Sequence, residues 1–164
     1  MPRVSWIFAA MLVGLFLTGC DGGDNPLGRE LNEDLEPDIE NIDLNRRDVF
    51  PGEQLRISWR SSGAFLFEAR IYFSSDTVPS ADDLLVIEEE CSNDSDDHCT
   101  SGQEVDWFCR YRSDNFLSCE EDDDLISLLD LTSFFDELPK DTNLILELCN
   151  DNECDRRSRD ITFH

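Results

Sequence analysis

Positive charge is scarce in this 164-residue chain: 13 Lys and Arg stand against 38 Asp and Glu, a formal net charge of −25. Phosphate backbones are held by clustered Lys and Arg, so no nucleic-acid partner is expected. Histidine is nearly absent, with His98 in a polar stretch beside Asp97 and His164 at the end of the sequence. A histidine triad would need one of these two, and neither lies near a serine or cysteine set in a nucleophile-like turn. No glycine-rich phosphate loop occurs. Cys-x-x-Cys is missing as well, which removes the usual redox motif and the usual zinc spacing. Carboxylate neighbours are common, but among 38 acids adjacency in sequence says nothing about acid–base work. The expectation is a non-catalytic protein without a cofactor.

Long apolar runs are lacking too. The one sustained run, residues 4–17, is shorter than the roughly 20 residues a membrane span needs. It follows Arg3 and ends in Leu17-Thr18-Gly19-Cys20. A positive start, a short apolar stretch and a small residue before cysteine resemble the lipobox of bacterial lipoproteins. The resemblance implies that 1–19 is a secretory signal and that Cys20 becomes the first residue. Cys20 would then carry diacylglycerol on its sulfur and an acyl chain, such as palmitate, on its amine. More than one chain gives stable anchoring, with the lipid holding to the membrane a domain whose charge an anionic surface would repel. The expected place is the bacterial cell envelope, outside the cytoplasm. Asp21 resembles an inner-membrane retention signal in some bacteria and is read differently in others, so the choice of membrane stays open.

Residues 20–37 are rich in Gly, Asn and acid and read as the lipidated cysteine with its tether. Residues 38–164 read as one domain, long enough for a single core. Six cysteines remain there: Cys91, Cys99, Cys109, Cys119, Cys149 and Cys154. An even count in an exported chain reads as three disulfides. Cys149 and Cys154 flank a turn-rich tetrad, and a hairpin there would bring them within bridging distance. The other four are expected to pair within 91–119, with Cys91–Cys99 and Cys109–Cys119 preferred.

Period-2 alternation dominates the domain. It runs through Ile42 and Leu44, then Leu55, Ile57 and Trp59, then Phe65 to Phe73. It continues at 84–87, through Val105, Trp107, Cys109 and Tyr111, and through Leu144, Leu146 and Leu148. Phe50-Pro51-Gly52-Glu53, Ser61-Ser62-Gly63 and Ser113-Asp114-Asn115 supply turns. Residues 125–138 fit either a helical stripe or a strand followed by one helical turn. Seven or more short strands at this spacing suggest an antiparallel sandwich.

Gly52-Glu53 followed by Leu55-x-Ile57-x-Trp59 resembles the first hairpin of immunoglobulin-like and fibronectin-III-like bacterial modules. Ile71-Tyr72-Phe73-Ser74-Ser75-Asp76, with Asp82-Asp83-Leu84-Leu85 after it, is similar to a motif of adhesion-related β-sandwich domains on bacterial surfaces. The likeness covers about residues 38–90 and, loosely, 140–164. It implies an all-β, immunoglobulin-like sandwich to which residues 91–124 add a disulfide-stapled hairpin insertion.

Two kinds of site are candidates. Asp94, Asp96 and Asp97, and separately Asp122, Asp123 and Asp124, could offer oxygens to calcium. Neither run has the EF-hand spacing, and a hydrated acidic face is the favoured reading of both. In the cysteine-bounded hairpin, Trp107 and Tyr111 share the Cys109 side and belong to the core. Phe108 and Arg110 then point outward, with Phe116 nearby, as a recognition surface for an envelope or extracellular protein or glycan. The alternative is that the insertion folds over the sandwich and buries these rings.

Overall fold

The computed structural model describes residues 35–92, 99–121, 123–151 and 153–164. Among these the chain forms strands and no helix: β1 Asp38–Leu44, β2 Asp48–Val49, β3 Gln54–Ser62, β4 Leu66–Ser74, β5 Leu84–Ser92, β6 Glu104–Tyr111, β7 Phe116–Glu121, β8 Asp124–Asp130, β9 Lys140–Cys149 and β10 Cys154–Phe163. They make two five-stranded sheets. The front sheet has the order β1-β3-β6-β7-β8 and the rear sheet β2-β10-β9-β4-β5. Neighbours are antiparallel except β2, which runs parallel to β10.

Alternation explains the layering. Leu55, Ile57 and Trp59 of β3 line up across the front sheet with Cys109, Trp107 and Val105 of β6. Ala69, Ile71 and Phe73 of β4 line up across the rear sheet with Leu148, Leu146 and Leu144 of β9. All of these are buried. Each fully buried large aliphatic or aromatic side chain contributes about 2 kcal/mol. Trp59 meets Trp107 edge-on at 5.5 Å, and at the other end Phe163 packs against Phe73 and Tyr111 at 5.1 and 5.3 Å.

Turns sit where the backbone needs special residues. Gly52 has φ +90° and Gly63 φ +93°. At Gly63 a Cβ would fall 2.1 Å from the carbonyl oxygen of Glu36, so only glycine lets the incoming chain cross there. Asn115, at φ 62°, is the residue type that tolerates the left-handed region best after glycine. Its side chain accepts a hydrogen bond from the Tyr111 hydroxyl at 3.1 Å. The Asp76 carboxylate accepts from the Val78 N–H, and Asp83 accepts from the Ser80 N–H. These are local side-chain turns of the kind aspartate favours.

Three differences from the sequence reading stand out. Segment 91–124 is not an appendage on a complete sandwich: it supplies β6, β7 and the start of β8, the middle and one edge of the front sheet. The reason is that Val105, Trp107, Cys109, Tyr111, Leu117 and Cys119 all turn inward, giving these strands an apolar face of their own to bury. Residues 125–138 resolve into strand β8 and one turn, in which the Leu131 carbonyl accepts the N–H groups of Phe134 and Phe135. The short run at 84–87 extends to Ser92, because Glu88 alternates outward and meets Arg70 of β4.

Candidate functional site

The sheet pairings place the cysteines first. Cys109 and Cys119 are directly opposed across β6 and β7 and are joined, with Cα atoms 3.9 Å apart. Cys149 and Cys154 are joined across β9 and β10. The turn between them is closed by the Asn150 N–H to the Glu153 carbonyl and by the Glu153 N–H to the Asn150 side chain. Cys91 and Cys99 are joined at the end of β5, where the Ser92 N–H also bonds to the Cys99 carbonyl. These are the pairs the spacing favours.

The front sheet turns one face to the core, so its other face carries the intervening residues. Across it, Arg56, Phe108, Glu120 and Leu125 form one row. Gln54, Arg110, Ser118 and Leu128 form the next, and Phe116 stands opposite Asp130. Phe108 and Phe116 are half-buried, whereas Leu125 and Leu128 are 60% and 53% exposed. The Arg112 guanidinium lies 5.9 Å from the Phe116 ring centre, a cation–π contact worth about 0.5–1 kcal/mol at an exposed site. Arg56 approaches Asp106 at 3.8 Å, and that carboxylate also accepts a short hydrogen bond from the Ser58 hydroxyl. Arg110 is exposed and, among the described residues, has no ion-pair partner. The Thr132 hydroxyl and N–H hold the Asp130 carboxyl below its ordinary range, so this face ends in a fixed negative charge.

The structure thus brings Phe108, Arg110 and Phe116 to one outer face, with the rings lying against the sheet and the arginine open to solvent. Leu125 and Leu128 join them, and sequence reading missed this. Their spacing fits a helical stripe as readily as a strand, so nothing local marks them as outward.

The rear sheet's outer face has another character. Glu147 is 5% exposed and sits between Arg156, at 2.5 Å, and Arg70, at 3.8 Å, with the Tyr72 hydroxyl donating to it at 3.5 Å. Arg70 also reaches Glu68 and Glu88. Burial, then the Glu147 charge, pushes the Tyr72 phenol up.

Of the proposed calcium ligands, Asp94, Asp96, Asp97 and Asp122 lie outside the described residues, as do Cys20 and the lipobox. Asp123 and Asp124 are exposed at the turn into β8. Glu147, Cys149 and Cys154 lie within ligand distance of one another, but the two sulfurs are bonded to each other and cannot act as thiolates. A polar hollow of about 300 Å³ at the end of β9 and β10 is lined by residues including Ser75, Asp141, Asn143 and Asp160. The Thr162 hydroxyl already donates to Asp141 there. His164 stacks on Phe50 at 4.3 Å and meets Asp48 at 2.9 Å. This pairing across 116 residues was invisible in sequence and clasps β2 to the end of β10.

No protein-family model and no curated protein matches the chain. Among solved structures it is similar to macromomycin, at 9% identity and a TM-score of 0.39 over 78% of this chain and 99% of that one. It is also similar to part of a β-glucosidase from Erythrobacter marinus, at 11% identity and a TM-score of 0.40 over 79% of this chain and 16% of that one. Likeness at this level carries no functional argument.

Proposed function

We propose that this chain is a lipid-anchored cell-envelope protein that works by recognition, without chemistry of its own. The outer face of its front sheet is the surface that meets another envelope or extracellular component, a protein or a glycan. One observation carries the reading. Phe108 and Phe116 flank the unpaired Arg110 on two strands stapled by Cys109–Cys119. In a chain with 38 acids for 13 bases, a solvent-exposed arginine beside aromatic rings is a ready anchor for a partner. Rigid strands present such residues with little ordering cost.

The anchor reading rests on Leu17-Thr18-Gly19-Cys20, and the envelope location follows from it. The immunoglobulin-like reading of the sandwich draws support from the first two strands. β1 lies in one sheet, while β2 crosses to the other and runs parallel to the last strand. The rear order β10-β9-β4-β5 also corresponds to the variable-type arrangement. The front sheet departs from that arrangement, because β6, β7 and β8 step outward from β3 as a meander.

The test is photo-cross-linking in intact cells. A photoreactive phenylalanine at position 108 or 116 is expected to give a discrete adduct, and the same group at Glu68 or Glu88 on the rear sheet none. Equal labelling from both faces, or from neither, would overturn the reading.

A further inference from the structure

We infer that the edge of β8, unpaired among the described residues, accepts an extended, basic segment of a partner as an added strand of the front sheet. This rests on the recognition role proposed above and gives it a binding mode and a partner chemistry.

An edge strand offers a row of unpaired backbone groups, and proteins blunt such edges against unwanted pairing. Three of the four edges here are blunted. β2 is two residues long. β1 gives its Ile39 N–H to the Asp155 carboxylate at 2.8 Å. β5 carries Glu88, Glu89 and Glu90. Its Val86 carbonyl takes the Ser127 hydroxyl, and its Ser92 N–H takes the Cys99 carbonyl.

β8 has neither proline nor lysine, its outward side chains are Leu125 and Leu128, and it meets β5 through the inward Ser127 hydroxyl, which donates to the Val86 carbonyl and leaves the β8 backbone groups untouched. The Leu131 N–H bonds to the Asn115 carbonyl on the β7 side. Leu129 stands opposite Leu117 and Leu128 opposite Ser118. Backbone groups alternate sides along an antiparallel strand, so those of Leu128 and Asp130 point to the open edge. The register shift near Ile126 leaves residues 127–130 as the regular stretch.

Charge decides the occupant. Asp123 and Asp124 stand at one end of β8 and Asp130 at the other, all exposed. A second copy pairing antiparallel along this edge would set the Asp124 end of one chain against the Asp130 end of the other, and facing like charges destabilise a strand pair. A segment with Lys or Arg near its ends meets opposite charges instead. Alternate apolar side chains on it would continue the surface of Leu125 and Leu128. Main-chain bonds would supply affinity and the flanking charges selectivity, as in other strand additions.

The experiment is selection of a random nonapeptide library against the full chain in detergent micelles. Alternating β-forming sequences with basic ends are expected. A selected peptide, resynthesised with N-methyl groups on alternate amides, should lose affinity at least tenfold in one of the two registers. Leu128→Pro should do the same, since proline is tolerated on an edge strand but removes the N–H the partner needs. Because that variant could misfold, Asp123→Lys/Asp124→Lys is the companion. It should turn the selected ends from basic toward acidic. Acidic or neutral consensus peptides, no selected peptide, or peptides indifferent to N-methylation would overturn the inference. Peptides weakened by Phe108→Ser and unaffected by Leu128→Pro would overturn the edge mode while leaving the recognition face standing.

Discussion

The two outer faces of this sandwich treat their polar groups in opposite ways. On the rear sheet, Glu147, Arg70, Arg156, Glu68 and Glu88 satisfy one another, and the network closes over a glutamate that is almost wholly buried. On the front sheet, Arg110 faces solvent without an ion-pair partner among the described residues, near half-buried rings and exposed leucines. The cores beneath are alike, with alternating large residues from both sheets. The contrast shows that a strongly acidic chain can commit some of its cations to a structural network and leave others, Arg110 among them, open to solvent. At Arg110 an outside group could still gain a bond, as the proposed recognition face requires.

The contrast can be broken or sharpened by experiment. The largest effect should come from the staple beneath the front face. Cys109→Ala/Cys119→Ala opens a loop of sequence separation 10 and should cost about 3 kcal/mol in denaturant melts, against about 2 kcal/mol for the pair at 149 and 154, with separation 5. Equal or reversed costs would mean the front strands hold without their bridge. Next, Glu147→Ala leaves Arg70 and Arg156 without their shared carboxylate and should cost about 2 kcal/mol. Arg110→Ala should stay within about 0.5 kcal/mol. Similar losses from the two would erase the distinction between the faces.

A small effect, confined to alkaline pH, concerns the phenols. The chain has two tyrosines, and both are held above the ordinary value of 10: Tyr111 by burial, and Tyr72 by burial and the Glu147 charge. The folded state therefore keeps these protons longer than the unfolded chain does. The stability they contribute is intact below pH 10 and is lost as pH rises from there through the folded values. Phenolate absorbance should lag that of free tyrosine, and melting temperature should fall over the same interval. Tyr72→Phe should cost under about 1 kcal/mol at neutral pH and should reduce the alkaline loss.

Much of the architecture could be read in advance because it is local. β3, β4, β6 and β9 each show one apolar face, and each of the six cysteines from Cys91 onward finds its partner within ten residues. Phe108 and Arg110 could be placed outward from the alternation of Trp107, Cys109 and Tyr111 alone. What escaped depends on distance or on ambiguous period. Leu125, Ile126, Leu128, Leu129 and Leu131 suit both a helix and a strand. The choice between them falls to β7, whose inward Leu117 and Cys119 need a neighbour at that edge. Glu147 could be assigned outward between Leu146 and Leu148, yet its burial comes from Arg70 on another strand and Arg156 beyond the turn. The clasp of His164 on Asp48 and Phe50 has no local trace at all.

The crossing of the chain over Gly63 also sets a polarity. The first described residues are fastened at one end of the sandwich, where the Asn150 side chain donates to the Leu35 carbonyl and Glu36 passes over the β3–β4 turn. For a domain held by the proposed acyl group on Cys20, the fifteen residues up to Leu35 reach at most about 50 Å. With such an anchor, that end, with the turns at 61–65 and 150–153, would be the footing where the tether enters. The opposite end, with Gly52, Asn115 and the His164 clasp, is the crown. β8 climbs from its Asp124 end at the footing to Asp130 near the crown, so a partner strand laid along it would stand upright beside the protein, approached from its flank.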